Sequence, residues 1–395
     1  MAVEFDIVVV GGGMAGLMAA ARAEAGGLSA VLIDGGVPGT PGELGGFAPF
    51  SGAKFSLFPA GTGLSAIVGG NECLIDRYRQ LCAEFVGLGF PEFSLTDVEI
   101  AGHEVAFERD LAYRNYHSVL LSPRRMDDLL KALATRLLET QILRETVTRL
   151  AIDEGDGFKV SLSGGREIWG RRLIVAAGRL GAELLEKAGI PQTAGKGIDV
   201  GIRLGFDSCR PLAGLRQLGP DAKFMAHGVR TFCLNSPGRI FHYPGLGFSL
   251  PGGIVAESDG TESNVGILLR LEDRDRELQR LRSLAQSFQH PPFRLKGNGL
   301  DLGWTEDARQ ILGQTVIDQI EAFVKSLSAS GLVALPTRYA VHYPLFDWHW
   351  PVFSQPGRLA TGIPGVFAAG DTSGHARGLL QAALMGALAV EEALN

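Results

Sequence analysis

The sequence predicts an α/β fold, and glycine-framed segments in its first and last parts are the main observations behind this prediction. The first segment, from Asp6 to Gly16, has the pattern of a strand, a tight turn and the start of a helix. Its glycines follow the spacing G-x-G-x-x-G at Gly11, Gly13 and Gly16. Such glycines permit the turn, the approach of a pyrophosphate and close packing of helix on strand. Asp34 ends the next strand-like run, where a ribose contact is expected, so the pattern predicts a Rossmann-like dinucleotide-binding domain.

Two later segments indicate which dinucleotide is bound. The run Arg172–Arg179 has the pattern of a third strand of the same domain. Further along, an apolar run ends in Gly370-Asp371, and a helix-like stretch follows from Gly378 to Leu394. In flavoproteins of the glutathione reductase type, such a Gly-Asp meets the ribityl chain or the pyrophosphate. The last helix of these proteins directs its positive N-terminus at the flavin pyrimidine. The three elements together predict that the chain binds FAD.

The predicted FAD contacts lie in these turns, in the loop after the second strand, and at neighbouring strand and helix starts. They are Gly11, Gly13, Met14, Ala15, Gly16, Asp34, Gly46, Arg124, Val147, Ala177, Gly178, Arg179, Gly370, Asp371, Gly378, Leu379, Leu380 and Gln381. Ser122, followed by Pro123, is predicted to cap the helix that carries Arg124. Val147 is included because related flavoproteins meet the adenine edge through the backbone of the corresponding strand.

Length and pattern predict two domains, because 395 residues exceed a comfortable single core. The FAD-binding domain is expected to be discontinuous and to comprise residues 1–48, 115–185 and 356–395. A second, mostly β, substrate domain is expected to comprise residues 49–114 and 186–355. Its predicted strands are 198–206, 230–234 and 264–269, and its predicted helices are 270–289 and 305–327, the latter capped by Thr305.

Charge and hydropathy exclude two classes of partner. A net charge of −6 and basic runs no longer than a pair argue against a nucleic-acid surface. The apolar stretch from Ile7 to Ala21 falls short of the roughly 20 residues that a membrane span requires, so no membrane span is expected. Few residues precede the first strand, which leaves no room for a secretory leader. We therefore expect a cytoplasmic protein.

Cysteine and histidine spacing exclude two kinds of chemistry. The four cysteines, Cys73, Cys82, Cys209 and Cys233, have no close pair, which argues against a flavin disulfide reductase. Buried thiols in a reducing compartment are the simpler interpretation. The eight histidines show no ligand spacing beyond Trp348-His349-Trp350, so no metal is predicted.

Several stretches resemble one known family in the same order along the chain. They are Gly45–Phe55, Asp199–Arg203, Arg230–Cys233 and Arg377–Ala383. Together with the terminal motifs, they are similar to bacterial FAD-dependent dehydrogenases of the glutathione-reductase superfamily, a large and poorly characterised family. The resemblance implies the fold and FAD, and says little about the substrate. Gly52 stands where this family usually carries Asp, which puts a role for that carboxylate in doubt.

Lys54 and His242 are the candidate catalytic residues. Lys54 lies in the loop after the second strand, where it could hold a water, an anionic substrate group or the charge of reduced flavin. A surface lysine is the alternative. His242 ends a predicted strand that faces the cleft and could remove a proton as hydride leaves. A structural histidine on an apolar strand is the alternative. The aromatic segment from His342 to Pro351 is interpreted either as a wall of the substrate pocket or as simple packing.

The predicted function is that of an FAD-dependent oxidoreductase, a dehydrogenase or oxidase. Hydride would pass between a small organic substrate and flavin N5. The sequence contains one clear dinucleotide turn, so we expect oxygen, a quinone or a partner protein to accept the electrons. The alternatives are a flavin monooxygenase or NAD(P)H-dependent reductase and, in a different class, a non-catalytic FAD-binding protein.

Overall fold

The computed structural model describes residues 4–36, 44–90, 105–108, 110–114, 118–153, 157–195, 197–288, 292–348 and 351–395. His349 and Trp350 of the aromatic segment, and Gln289 at the end of a predicted helix, lie outside these ranges. Within them, two large sheets and two short strand pairs are flanked by helices.

The strands are numbered along the chain. They are β1 Phe5–Val10, β2 Ala30–Ile33, β3 Lys54–Ser56, β4 Val105–Ala106, β5 Ala112–Arg114, β6 Ser118–Leu120, β7 Gln141–Leu143, β8 Val147–Asp153, β9 Gly157–Leu162, β10 Glu167–Val175, β11 Ile198–Phe206, β12 Lys223–Ala226, β13 Val229–Asn235, β14 Gly238–Gly245, β15 Phe248–Val255, β16 Ser263–Leu271, β17 Phe293–Gly297, β18 Tyr339–Trp348 and β19 Val366–Ala368.

The α-helices are numbered in the same way. They are α1 Met14–Ala25, α2 Ser65–Val68, α3 Asn71–Val86, α4 Pro123–Thr135, α5 Gly178–Lys187, α6 Ala213–Gln217, α7 Arg274–Ala285, α8 Glu306–Leu312, α9 Gln314–Ala329 and α10 Leu379–Leu394. Short 3-10 turns lie at Ala48–Phe50, Thr62–Leu64, Arg210–Leu212 and Gly370–Ser373.

The first sheet has a parallel core. Its order is β7-β2-β1-β10-β9-β8, and β19 also pairs with β10. The pairings among β7, β2, β1, β10 and β19 are parallel, whereas β9 and β8 add antiparallel strands beyond β10. Residues Ile7 to Val10 are buried without alternation, as expected of a parallel strand that is covered on both faces. This arrangement is consistent with the predicted Rossmann-like fold.

The second sheet is antiparallel and has two unlike faces. Its order is β17-β18-β11-β16-β13-β12-β5-β4. Along β11, alternate aliphatic residues from Ile198 to Leu204 belong to the apolar core, into which α9 also packs. The residues between them, Asp199, Gly201, Arg203 and Gly205, share the opposite face because side chains alternate along a strand. We call this opposite face the polar face.

A two-stranded hairpin formed by β14 and β15 covers part of the polar face. The Arg203 side chain fastens it, since Nε donates a hydrogen bond of 3.0 Å to the carbonyl oxygen of Pro251 on β15. Asn264 of β16 donates through Nδ2 to the carbonyl oxygen of Arg239 on β14, at 3.1 Å. These bonds tie both strands of the hairpin to the large sheet.

The helices α1 and α10 pack directly against each other. A Cβ atom at Gly386 would overlap the backbone oxygen of Ala15, so the two helices approach at backbone distance. Small buried residues on both helices, such as Ala19 and Ala383, allow this approach. The last helix thereby lies beside the first glycine turn of the chain.

Two predicted helices differ from the structure. The helix expected from residue 270 begins at Arg274, because Arg270 is still part of β16 and pairs with Asp199. The helix expected over 305–327 is divided into α8 and α9 at Gly313, whose φ of 84° lies in the left-handed region. The predicted cap at Thr305 is present, and its side chain accepts a hydrogen bond from the Ala308 backbone.

Among the described residues, no helix has both the length and the apolar character needed to cross a bilayer. Over the same ranges, no group of three or more histidine, cysteine, aspartate or glutamate side chains is arranged to hold a metal ion.

Candidate cofactor and substrate site

The turn between β1 and α1 requires glycine at two positions. Gly11 has a φ of 103°, and a Cβ there would lie 2.5 Å from the backbone oxygen of Ala176. A Cβ at Gly16 would overlap the backbone oxygen of Gly11. Gly13 caps α1 without any side-chain hydrogen bond, and the first turn of α1 contains no acidic residue. Uncapped N–H groups and the helix dipole make this N-terminus suited to an anion such as a pyrophosphate.

Asp34 lies against this turn. Its Oδ2 accepts a hydrogen bond of 2.6 Å from the Gly12 backbone, and its Oδ1 accepts one of 2.6 Å from the Gly36 backbone. The carboxylate therefore lies at the end of β2 beside the glycine turn, which is the placement that a ribose contact requires.

Three other segments converge on the same turn. The Gly45 backbone donates a hydrogen bond of 2.7 Å to the Gly12 oxygen, which brings Gly46 beside Gly13. The loop after β19 packs on the start of α5, where Thr372 Oγ1 donates to the Gly178 oxygen at 2.9 Å. The pieces predicted from distant parts of the sequence thus form one edge of the first sheet.

Asp371 and the N-terminus of α10 complete this edge. The Asp371 carboxylate makes no hydrogen bond or ion pair with the described residues. Burial opposes the charge of Arg179, and Asp371 adds to the effect of Tyr243 and Asp347, which together raise the pKa of that guanidinium. Gly378 caps α10 with a φ of 124° and no side-chain hydrogen bond. A carboxylate and an uncapped helix N-terminus therefore lie near each other, as the predicted ribityl and pyrimidine contacts require.

Asp347 on the polar face joins this edge to the large sheet. Its Oδ1 accepts a hydrogen bond of 3.2 Å from Arg179 and another from Arg377, and its Oδ2 accepts one of 3.3 Å from Arg230. Its side chain is only 4% exposed. One buried carboxylate thus holds arginines from three elements: the start of α5, the residue before the cap of α10, and β13.

Asp199 stands directly across from Asp347 in the pairing of β11 with β18. It is fully buried and binds Arg230 at 2.5 Å, and it also binds Arg270, its cross-strand partner on β16. Burial lowers the pKa of Arg230, but Asp199 and Asp347 together outweigh this effect and raise it. We call this group the charged end of the polar face: Asp199, Asp347, Arg179, Arg230, Arg270 and Arg377.

Aromatic side chains border the charged end. The ring of Tyr243 on β14 lies 5.9 Å from the ring of Phe47, edge to face. Burial opposes the charge of Arg179, and Tyr243 is near enough to raise the pKa of that guanidinium. Phe47 is 46% exposed although it is large and apolar. Since it directly follows Gly46, an exposed ring lies beside the glycine turn, where a planar ligand could stack.

The predicted catalytic His242 has a histidine partner. Its Nε2 lies 3.3 Å from Nδ1 of His342 on β18, with ring centroids 5.2 Å apart. Burial lowers the pKa of His242. Burial, with contributions from His242, Arg294 and Arg203, lowers the pKa of His342 to about 4. Both imidazoles are therefore neutral at pH 7, so one ring donates and the other accepts. We call Arg203, His242 and His342 the imidazole end of the polar face.

The other predicted catalytic residue, Lys54, is held differently. Its ammonium donates a hydrogen bond of 2.5 Å to the Leu234 oxygen and lies 3.7 Å from Asp221, whose other oxygen binds Ser56. Burial lowers the pKa of Lys54, and Asp221 opposes this effect. The cavity beside it measures about 10 Å³, room for one water at most. These contacts favour a structural role.

The structure brings most of the predicted cofactor residues to one edge, but not all of their side chains. Leu380 and Gln381 are fully buried, and Gln381 donates to the Ser56 oxygen and to Tyr78. Only their backbones could meet a ligand. Val147 is the first residue of β8 and pairs with Leu162. It lies past Asp34, which forms one end of the site. Arg124 has an exposed side chain on α4, and its backbone N–H donates to Glu257.

Several residues of the site were not selected as candidates from the sequence. They are Asp199, Arg203, Arg230, Arg270 and Arg377. His342 and Asp347 belong to the aromatic segment that was interpreted as a pocket wall or as packing, but no role was predicted for their own side chains. One signal was available, because β11 alternates aliphatic residues with Asp199, Gly201, Arg203 and Gly205. Charged residues alternating with aliphatic ones on a strand indicate a face that is polar without being ordinary surface. Their partners lie on other elements and carry no local signal.

No protein-family profile matches the chain, and no curated protein sequence matches it. Solved structures do match. A flavoprotein/dehydrogenase from Cytophaga hutchinsonii is 14% identical with a TM-score of 0.48, and the match covers 98% of this chain and 79% of that one. CtdE in complex with FAD is 12% identical with a TM-score of 0.40, over 98% and 82% of the two chains. The tetracycline destructase Tet(51) is 14% identical with a TM-score of 0.39, over 97% and 79%. Likenesses of this size identify neither a substrate nor a reaction.

Proposed function

We propose that the protein is an FAD-dependent oxidoreductase that acts on a small organic substrate. The observation that carries the proposal is the convergence of the glycine turn at Gly11, the free carboxylate of Asp371 and the uncapped N-termini of α1 and α10. FMN lacks the adenosine part of FAD, so bound FMN would leave Asp34 without an adenosine ribose to contact. CtdE, one of the structures similar to this chain, contains FAD, in agreement with the assignment. Membership of the glutathione-reductase superfamily remains a prediction.

The residues of this chain have distinct tasks in this proposal. The first turn of α1 holds the pyrophosphate, Asp34 holds the adenosine ribose, and Asp371 holds the ribityl chain or pyrophosphate. When bound, FAD supplies a two-electron acceptor. The substrate domain predicted over residues 186–355 supplies the polar face, which binds and orients the substrate. His242, neutral at pH 7 because burial lowers its pKa, accepts the substrate proton.

The experiment is to purify the protein and identify the flavin that denaturation releases. We expect FAD at close to one per chain, and FMN alone would refute the assignment. Asp371→Ala should weaken FAD binding roughly tenfold to a hundredfold, because a charge-assisted hydrogen bond contributes about 1.5–3 kcal/mol. Asp259→Ala is the matched control. It changes an exposed aspartate in the turn after β15 and should retain FAD after the same dialysis.

A second candidate is a flavin monooxygenase or NAD(P)H-dependent reductase, which the sequence left open. Anaerobic mixing of the FAD-loaded protein with NADH or NADPH distinguishes this second candidate from the substrate-driven oxidoreductase proposed above. Slow bleaching of the oxidised flavin supports a substrate-driven dehydrogenase or oxidase, with oxygen, a quinone or a partner protein as acceptor. Rapid bleaching at micromolar coenzyme supports the second candidate.

A further inference from the structure

Arg203 is a buried cation without a carboxylate partner among the described residues. It is 1% exposed. Its guanidinium donates to three neutral oxygens, those of Pro251 at 3.0 Å, Cys233 at 3.2 Å and the Asn264 side chain at 2.7 Å. Over the described ranges, no aspartate or glutamate lies within ion-pair distance of it, and its Nη2 donates no hydrogen bond. A buried charge held only by neutral groups is unusual, because desolvation opposes it.

The surrounding chain is shaped to keep this guanidinium in place. Cys233 has a φ of 44°, a left-handed conformation that a cysteine rarely adopts, and its oxygen faces Arg203 and Asn235. The pairing of β13 with β16 shifts register at the same point. A Cβ at Gly253 would overlap the Arg203 guanidinium, so the hairpin can cross over it only with glycine there. Local strain of this kind is often retained where it serves a site.

The groups beside Arg203 suit an anion. His342 is its cross-strand partner on β18, and His242 is hydrogen-bonded to His342. Tyr243 is also near enough to stabilise the charged form of Arg203. Each of these groups can donate a hydrogen bond to an oxygen anion, and the imidazoles can take up a proton from solvent when an anion arrives.

We propose that the imidazole end of the polar face, with Arg203 at its centre, binds the carboxylate of an anionic substrate. This inference rests on the proposed function and names its substrate class. The carboxylate would receive the Nη2 hydrogen bonds of Arg203 and a hydrogen bond from the histidine pair. The rest of the substrate would extend toward Tyr243 and Arg179, where the cofactor edge begins. A planar guanidinium is the side chain best matched to a carboxylate.

The competing explanation is that Arg203 only fastens the β14–β15 hairpin to the large sheet. A fastening arginine would be important for stability but indifferent to the charge of a ligand. The two explanations therefore differ in one measurable property, which is the preference for an anion over a neutral molecule of the same shape.

The test compares benzoate with benzamide by isothermal titration calorimetry on the purified protein, with its flavin content measured by absorbance. We expect benzoate to bind at least tenfold more tightly than benzamide, since a charge-assisted pair contributes about tenfold to hundredfold in affinity. Arg203→Gln should abolish the preference. Arg203→Lys, which keeps the charge and guards against misfolding, should retain part of it. Arg239→Gln, which changes an exposed arginine on the same hairpin, should leave it intact.

Equal affinities for benzoate and benzamide, no benzoate binding below about 10 mM, or a preference that survives in a folded Arg203→Gln protein would each overturn the inference. A binding pH profile adds a second measurement. Benzoate should bind with proton uptake below pH 7, and His342→Gln should reduce that uptake. If the protein contains flavin but shows no preference, only the inference fails. If it contains no flavin, the proposed function fails, whatever benzoate does.

Discussion

The two ends of the polar face treat their arginines in opposite ways. At the charged end, Arg230 lies between two buried carboxylates that raise its pKa. Arg203 lies on the same strand as Asp199, four residues further along and about 13 Å away. It meets only neutral oxygens, and burial lowers its pKa. A cation paired with carboxylates joins parts of the protein together. A cation left with neutral partners keeps its charge available for a ligand.

The charged end should be the more important for stability. Asp347→Asn would leave Arg179, Arg230 and Arg377 around a neutral amide. Removing one partner of a buried ion pair costs about 3–5 kcal/mol, so we expect a loss of that size in the free energy of unfolding, measured with urea. Asp76→Asn breaks an exposed pair with Arg79 and should change it by less than about 0.5 kcal/mol. Comparable losses in the free energy of unfolding for Asp347→Asn and Asp76→Asn would contradict the view that the charged end holds these parts of the protein together.

The imidazole end should make stability depend on pH. His342 has an ordinary pKa of 6.5 and a folded pKa of about 4. Between these values the unfolded chain binds more protons, so the free energy of unfolding should fall as the pH decreases from 6.5 to 4 and then level off. The drop is at most about 3 kcal/mol, and less because water reaches the ring. His242, whose pKa is also lowered, contributes with the same sign.

Urea unfolding at pH 7 and pH 4.5 measures this dependence. The charged or titratable groups that face His342 are His242 on β14, Arg294 on β17 and Arg203 on β11. His342→Gln should flatten the drop, and His227→Asn, which changes an exposed histidine in the left-handed region, should preserve it. If the free energy of unfolding of His342→Gln falls by the same amount between pH 7 and pH 4.5, groups other than His342 cause the pH dependence.

Lys54 should show the smallest effect. Lys54→Met keeps the length of the side chain and removes a charge that burial already opposes, while Asp221 retains its bond to Ser56. We expect a loss of about 1 kcal/mol in the free energy of unfolding, the usual contribution of a hydrogen bond such as the one to the Leu234 oxygen, and no loss of bound FAD. Substrate-driven bleaching slowed more than tenfold, with flavin still bound, would instead restore Lys54 to the catalytic role that the sequence suggested.

The sequence predicted those features that short-range pattern determines. Gly11, Gly13 and Gly16 indicate the turn because their spacing is itself the steric requirement, and β11 was predicted with the bounds that it has. The break at Gly313 was missed because apolar periodicity continues across it, so only its backbone conformation separates α8 from α9.

The arrangement of the site could be predicted only in part. Asp371 and Gly11 were joined because each motif has a recognisable form. The charged end has no such form: Arg179 was predicted as a cofactor contact, but it lies 168 residues from Asp347 and no sequence pattern pairs the two. Arg203 and His342 are brought together by a strand register that contains a bulge, and no sequence pattern specifies that register.

The backbone contact between α1 and α10 sets an order for folding during synthesis. A ribosome that has released β1, α1 and the whole large sheet has still not released β19 or the helix whose Gly386 lies on Ala15. Until that helix emerges, the side of α1 that packs on α10 has no cover and the glycine turn lacks its neighbouring loop. Contacts between such distant segments form late, because a long intervening chain must close first. The chain therefore completes its cofactor site only when its first and last helices meet.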